Sequence, residues 1–105
     1  MLFMIVSQHT AESCPMVNMV SKEKLITSGQ RQNDVAKALG VNILGSWVDM
    51  PAHLIFMLVD APKTELLGKM AMELHLVDWN ISITHPVVTM QDALAQLQPK
   101  KLTVL

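Results

Sequence analysis

An α+β domain is the fold class that this sequence predicts, and three observations carry it. The stretch Gly40 to Pro62, GVNILGSWVDMPAHLIFMLVDAP, holds two apolar, β-branched runs around a turn signal, the pattern of a β-hairpin. One apolar run and one helix-length segment precede it, and a segment of helical period and an alternating segment follow it. The resulting order, β-α-β-β-α-β, fits within 105 residues, the length of one domain, so residues 1–105 are read as a single unit.

Each element has its own justification. Leu2 to Gln8 is almost continuously apolar, so neither face suits water and the strand belongs at the centre of its sheet. His9 to Asn18 (HTAESCPMVN) is a polar connection in which Pro15 limits regular structure. A helix begins between Asn18 and Ser21, either of which can cap it, and ends at Leu39 with Gly40 as the residue beyond. Its residues Leu25, Ile26, Val35, Ala36 and Leu39 fit one face, while the polar middle TSGQRQND marks Gly29 as the place for a break.

The hairpin strands run Val41 to Val48 and Leu54 to Val59, with Asp49-Met50-Pro51-Ala52 between them, because Pro51 cannot donate to a central ladder. Leu66, Leu67, Met70, Ala71 and Leu74 recur at helical spacing over Lys63 to Leu74, and Pro62 suits the start of that helix. Asn80 to Thr89 alternates Ile81 and Ile83 with Ser82 and Thr84, a half-buried strand that Pro86 confines to an edge or a strand end. MQDALAQLQ reads as a short closing helix, and Lys101 to Leu105 as a possible extra edge strand. This is the split βαβ, or ferredoxin-like, arrangement: a four-stranded antiparallel sheet of order 4-1-3-2 with two helices on one face.

Two helices leave the other face bare. Yet the third strand is apolar on both sides, Ile55, Met57 and Val59 on one and Leu54, Phe56 and Leu58 on the other. The simplest cover is the same sheet of a second copy, which predicts a homodimer. The opening LFMIVSQHT, the hairpin ILGSWVDMPAHLIFMLVDAP and the strand ITHPVVT resemble the short, uncharacterised members of the dimeric α/β-barrel superfamily over nearly the whole chain in element order. That resemblance implies pairing as a dimeric α/β barrel and a ligand cavity between sheet and helices. It spans monooxygenases, isomerases, haem-degrading enzymes and domains without a known reaction, so it implies no single chemistry.

Composition excludes several classes. Half the residues are apolar and 16% charged, which excludes a disordered chain. Eight Lys/Arg and nine Asp/Glu are scattered to a net charge of −1, and with no Tyr, two Phe and two Trp the chain has neither the charge nor the stacking platforms expected of a nucleic-acid partner. No apolar run approaches the ~18 residues of a membrane span, so no membrane partner is expected. The N-terminal run lacks the basic flank and longer core of a signal peptide. The one cysteine, Cys14, cannot form an internal disulfide, and the expected location is cytoplasmic.

The topology also says which residues meet. The C-terminal ends of strands one and two lie beside the N-terminal ends of strands three and four, and that rim collects His9, Trp47, Asp49, His53 and the Asp78-Trp79 pair. Cys14 lies in the adjoining loop and His75 at the end of the second helix, whereas His85 falls toward the opposite rim. His9, Cys14 and His53 offer imidazole and thiolate donors, suited to Zn, Cu or Fe and poor for Mg or Ca. A lone histidine could equally hold a haem iron.

Two metal-free readings stand beside this one. Cys14 can serve as a nucleophile with His9 as base, or His9 and His53 as acid/base groups oriented by Asp49 or Asp78 for an isomerisation or oxygenation. Trp47 would then wall a flat ligand, with Asp49 and His75 at its edge. Against all of these, a histidine at a strand end is accounted for by partial burial and a hydrogen bond, a free cysteine is commonly a small buried hydrophobe, and a Trp in an apolar strand is usually core. The nine methionines form no copper-binding tract and suit irregular gaps in a core short of aromatics. A binding protein or enzyme using the rim and a non-catalytic dimerisation or ligand-sensing module both remain open.

Overall fold

The computed structural model describes residues 1–98, and the edge strand expected at Lys101 to Leu105 lies outside them. β1 (Leu2–Gln8), β2 (Asn42–Asp49), β3 (Leu54–Asp60) and β4 (Ile81–Val87) form one sheet of order β2-β3-β1-β4, with every neighbouring pair antiparallel. This is the ferredoxin-like βαββαβ fold, and the two most apolar strands, β1 and β3, occupy its centre as their sequences require.

α1 (Met19–Leu39) is capped at one end by Asn18, whose side chain accepts from the Ser21 N–H, and at the other by Gly40 at φ 73°. It runs unbroken through Gly29, which lies on the solvent side. The buried stripe is Ser21, Ser28, Val35 and Ala36, and Ile26 is exposed instead. Two serines on that face account for the weak apolar pattern. α2 (Glu65–Glu73) is shorter than its periodicity suggests and passes into a single 3₁₀ turn, Leu76–Asp78. α3 (Met90–Leu97) buries no residue and leaves Met90, Leu94 and Leu97 exposed.

The core lies between the sheet and α1, α2 and the 3₁₀ turn. Phe3 and Ile5 of β1 and Met57 and Val59 of β3 meet Val35 and Ala36 of α1, Leu67 and Met70 of α2, and Leu74 and Leu76. Phe3, Val59, Met70 and Leu74 are essentially fully buried, so each contributes roughly 1.5–3 kcal/mol through apolar burial.

The opposite face carries Met4, Val6, Phe56 and Leu58 at its middle, and β4 adds Ile81 at 79% and Ile83 at 59% exposure. On β4 it is Ser82, Thr84 and Pro86 that share the helix-side register with Ser7, Ile5 and Phe3. The Ser7 and Ser82 hydroxyls hydrogen-bond at 2.7 Å.

One irregularity in β2 redirects a large side chain. The pairing shifts between Ile43 and Gly45, so Leu44 bulges and the alternation reverses beyond it. Ile43 stays opposite core-facing Val59, but Trp47 pairs with Phe56 and turns to the bare face, where it is 54% exposed. Its indole lies over Gly45, where a Cβ would come within 2.5 Å of Trp47 Cη2. Neither a core position nor a wall of the helix-side cavity describes Trp47; the bulge is the reason.

Candidate metal centre

His9 follows the last residue of β1, and its N–H continues the ladder by donating to the His53 carbonyl at 3.2 Å. The helix-side register of Ser7 and Ile55 carries one step further to His9 and His53, which therefore share a face, with ring centroids 5.3 Å apart in an edge-on arrangement. His53 ends the hairpin loop. Asp49 accepts from the Ala52 N–H at 3.1 Å, the His53 N–H donates to the Met50 carbonyl at 3.3 Å, and His53 itself takes φ +58°. That left-handed conformation is uncommon outside glycine, although histidine adopts it more readily than most residues.

Cys14 reaches the same place from the loop before α1. Its carbonyl accepts from the Val17 and Asn18 N–H groups at 2.9 and 2.8 Å, which ties it to the helix cap. The Thr10 and Ser13 hydroxyls, 2.9 Å apart, brace the start of the loop. Cys14 is buried, and one donor atom each from His9, Cys14 and His53 lie within 4.8 Å of one another. Ligands around a tetrahedral zinc ion stand about 3.3–3.7 Å apart, so small side-chain rotations would close the cluster. His9 and Cys14 border a hollow of 210 Å³, whose walls also include Leu25, Val48 and Ile55.

Hydrogen bonding settles which His9 nitrogen is available. Asn80, buried at the start of β4, donates from Nδ2 to the Leu76 carbonyl at 3.2 Å, which orients its Oδ1 toward His9 Nδ1, also at 3.2 Å. Because that oxygen can only accept, His9 carries its proton on Nδ1 and presents a lone pair at Nε2. Such an outer partner fixes ring orientation in metal-binding histidines. His9 is 8% exposed, and both its Nε2 and His53 Nδ1 are buried without a hydrogen-bond partner among the described residues. Leaving a buried polar atom unpaired costs roughly 1–3 kcal/mol, and here two fall on neighbouring rings. Trp79 tilts against the His9 ring at 5.2 Å, and its Nε1 is likewise buried without a hydrogen-bond partner among the described residues.

The remaining rim residues do other things. His75 stands just beyond α2 at φ +56°, where it ends the helix in the place usually taken by glycine. It is exposed, and its Nδ1 lies 3.2 Å from Asp78 Oδ2, which Lys24 also reaches at 3.0 Å. The hydrogen bond from Lys24, then its charge and that of His75, hold the Asp78 carboxyl below its ordinary 3.8 despite partial desolvation. Asp49 serves the hairpin turn, and Trp47 is on the other face of the sheet. His85 pairs with Met4 on that outer face. Asn80 was not singled out by the sequence, since an asparagine before a strand carries no signal of what it will orient.

Among the described residues no helix is long and apolar enough to cross a membrane. A comparison with curated protein sequences finds no match. Among solved structures, a protein described as a "putative transposase" from Deinococcus radiodurans R1 is similar over 91% of this chain and 85% of its own, with 16% identity and a TM-score of 0.47, a likeness that carries nothing about activity. A family model matches residues 1–101, and the chain therefore belongs to the family described as a domain of unknown function, DUF3303.

Proposed function

We propose that this protein binds a transition-metal ion through His9, Cys14 and His53. The observation that carries the reading is the pair of buried, unpartnered ring nitrogens, His9 Nε2 and His53 Nδ1, in a cluster with the Cys14 thiol. Two imidazoles and a thiolate are borderline-to-soft donors, which favours Zn, Cu or Fe over Mg or Ca. The 210 Å³ hollow beside Cys14 suits an ion better than a haem, since small-molecule sites run about 300–1,000 Å³, while a 490 Å³ hollow borders His9 beside Trp79 and Asn80. Three protein donors fall one short of a closed structural site.

Cobalt(II) titration of the metal-free protein tests the proposal. A 1:1 complex with a thiolate charge-transfer band is expected, lost in Cys14→Ser and weakened at least tenfold in His9→Ala. A folded parent that binds none of Co, Zn, Ni or Cu would sink it.

A second reading concerns assembly, and the bare sheet face favours it. Trp47, Phe56, Leu58, Met4, Val6 and Ile83 make an apolar centre, with Gln8, Asp49 and Asp60 toward its ends and His85 beside Met4 on the edge strand. Four strands of about seven residues span roughly 19 by 24 Å, about 460 Å², the size of the largest apolar patch on a typical monomer, which is often a functional surface. We infer that two copies pair through this face, as in a dimeric α/β barrel, and that the metal sites stay on the helix side. Sedimentation should show a dimer at micromolar concentration and a folded monomer for Ile83→Glu; a monomeric parent refutes the pairing.

A further inference from the structure

We propose that the ion is copper and that a methionine thioether completes its coordination. This rests on the metal-binding reading above and names the metal it selects. Met16 and Met50 border the same 210 Å³ hollow as His9 and Cys14, although they come from different segments, the loop before α1 and the β2–β3 turn. Met16 is two residues beyond Cys14, and Met50 supplies the carbonyl that holds His53 in its turn at 3.3 Å. Each thioether is therefore attached to a segment that already carries one of the three donors.

Both side chains are largely exposed, Met16 at 70% and Met50 at 51%, as are Met1, Met19, Met72 and Met90, but Met16 and Met50 are the ones that border the hollow. Their place at the mouth of the hollow is not explained by core filling. Exposed beside Cys14 and the His53 turn, either thioether can swing onto an ion held by the two imidazoles and the thiolate. Two imidazoles, one thiolate and a weak, long thioether are the donor set that suits copper, and thioether sulfur is soft enough to hold Cu(I).

The hollow is otherwise apolar, with Leu25, Val48 and Ile55 in its wall, so the set lacks the carboxylate oxygens that would favour harder ions.

The test is an anaerobic Cu(I) titration of the whole chain against a chromophoric Cu(I) chelator, with Co(II) titration in parallel. The proteins are the parent, Met16→Leu, Met50→Leu and the double variant. Because both positions are exposed and the swap conserves volume, the fold should survive, which circular dichroism checks. The parent should bind one Cu(I), and the double variant should bind it at least tenfold more weakly while its Co(II) affinity stays unchanged. Unaltered Cu(I) affinity in the double variant, with Co(II) still bound through Cys14, overturns the thioether and copper assignment and leaves the three-donor site standing. Failure of the parent to bind either ion overturns both.

Discussion

Replacing His53 with glycine separates what this residue does for the backbone from what its ring does for a ligand. At φ +58° an L-residue is held in a region that costs roughly 1–2 kcal/mol, which glycine does not incur. Against this, glycine gives the unfolded chain extra freedom worth about 0.4–1 kcal/mol. His53→Ala keeps the Cβ and its strain, and both variants remove the same ring, the same unpaired Nδ1 and the same edge contact with His9.

The difference between the two variants isolates the backbone. It should favour His53→Gly by about 1 kcal/mol, or roughly 4–8 °C in Tm for a domain of this size. Thermal unfolding followed by circular dichroism in the presence of a chelator measures it. With zinc at about 100 times its Kd the parent alone should gain a further 2.7 kcal/mol or so, because an ion that binds only the folded state shifts the equilibrium by mass action. An alanine variant as stable as the glycine one would mean that His53 is not held left-handed. Equal stabilisation of all three proteins by zinc would show that His53 is no ligand.

Three further outcomes follow from particular contacts. Asn80→Ala removes the acceptor that holds the His9 Nδ1 proton and should lower Co(II) affinity about 10–100-fold with the ligands intact, read by titration. Gly29→Ala adds a Cβ into open space on the solvent side of α1 and should raise stability by about 0.5–1 kcal/mol in urea unfolding; a loss would mean that the helix is interrupted there. Asp78, with its carboxyl held below 3.8 by Lys24, contributes stability that is present above that pH and lost as pH falls through the lower, folded value. Stability of the parent should therefore drop more steeply than that of Asp78→Asn below about pH 4, and parallel urea midpoints across the acid range would contradict the pairing.

Much of the site was legible because strand direction alone decides which ends of strands meet. Once β1, the hairpin and β4 were recognised, His9, His53 and the loop of Cys14 had to share one rim. What alternation could not say was whether His9 and His53 share a face, since a slip of one residue exchanges the faces. Trp47 shows the same limit from the other side. Plain alternation along β2 sends it with Ile43 toward the core, and the bulge at Leu44, signalled only by Gly45 within a strand, turns it outward.

The sequence by itself determined the order of the elements, the central place of β1 and β3, the two caps of α1 and the gathering of imidazoles and thiol at one end of the sheet. Those follow from local chemistry: continuous apolar runs, an asparagine whose side-chain oxygen accepts from a free helix N–H, a glycine able to turn left-handed. Only the tertiary structure decided that Lys24 reaches Asp78, that Asn80 fixes the proton on His9, and that His9, Cys14 and His53 bring their donor atoms within 4.8 Å. Each of these depends on the register between segments far apart in the chain. A shift of one position along any of those strands would keep the same composition and periodicity and scatter the site.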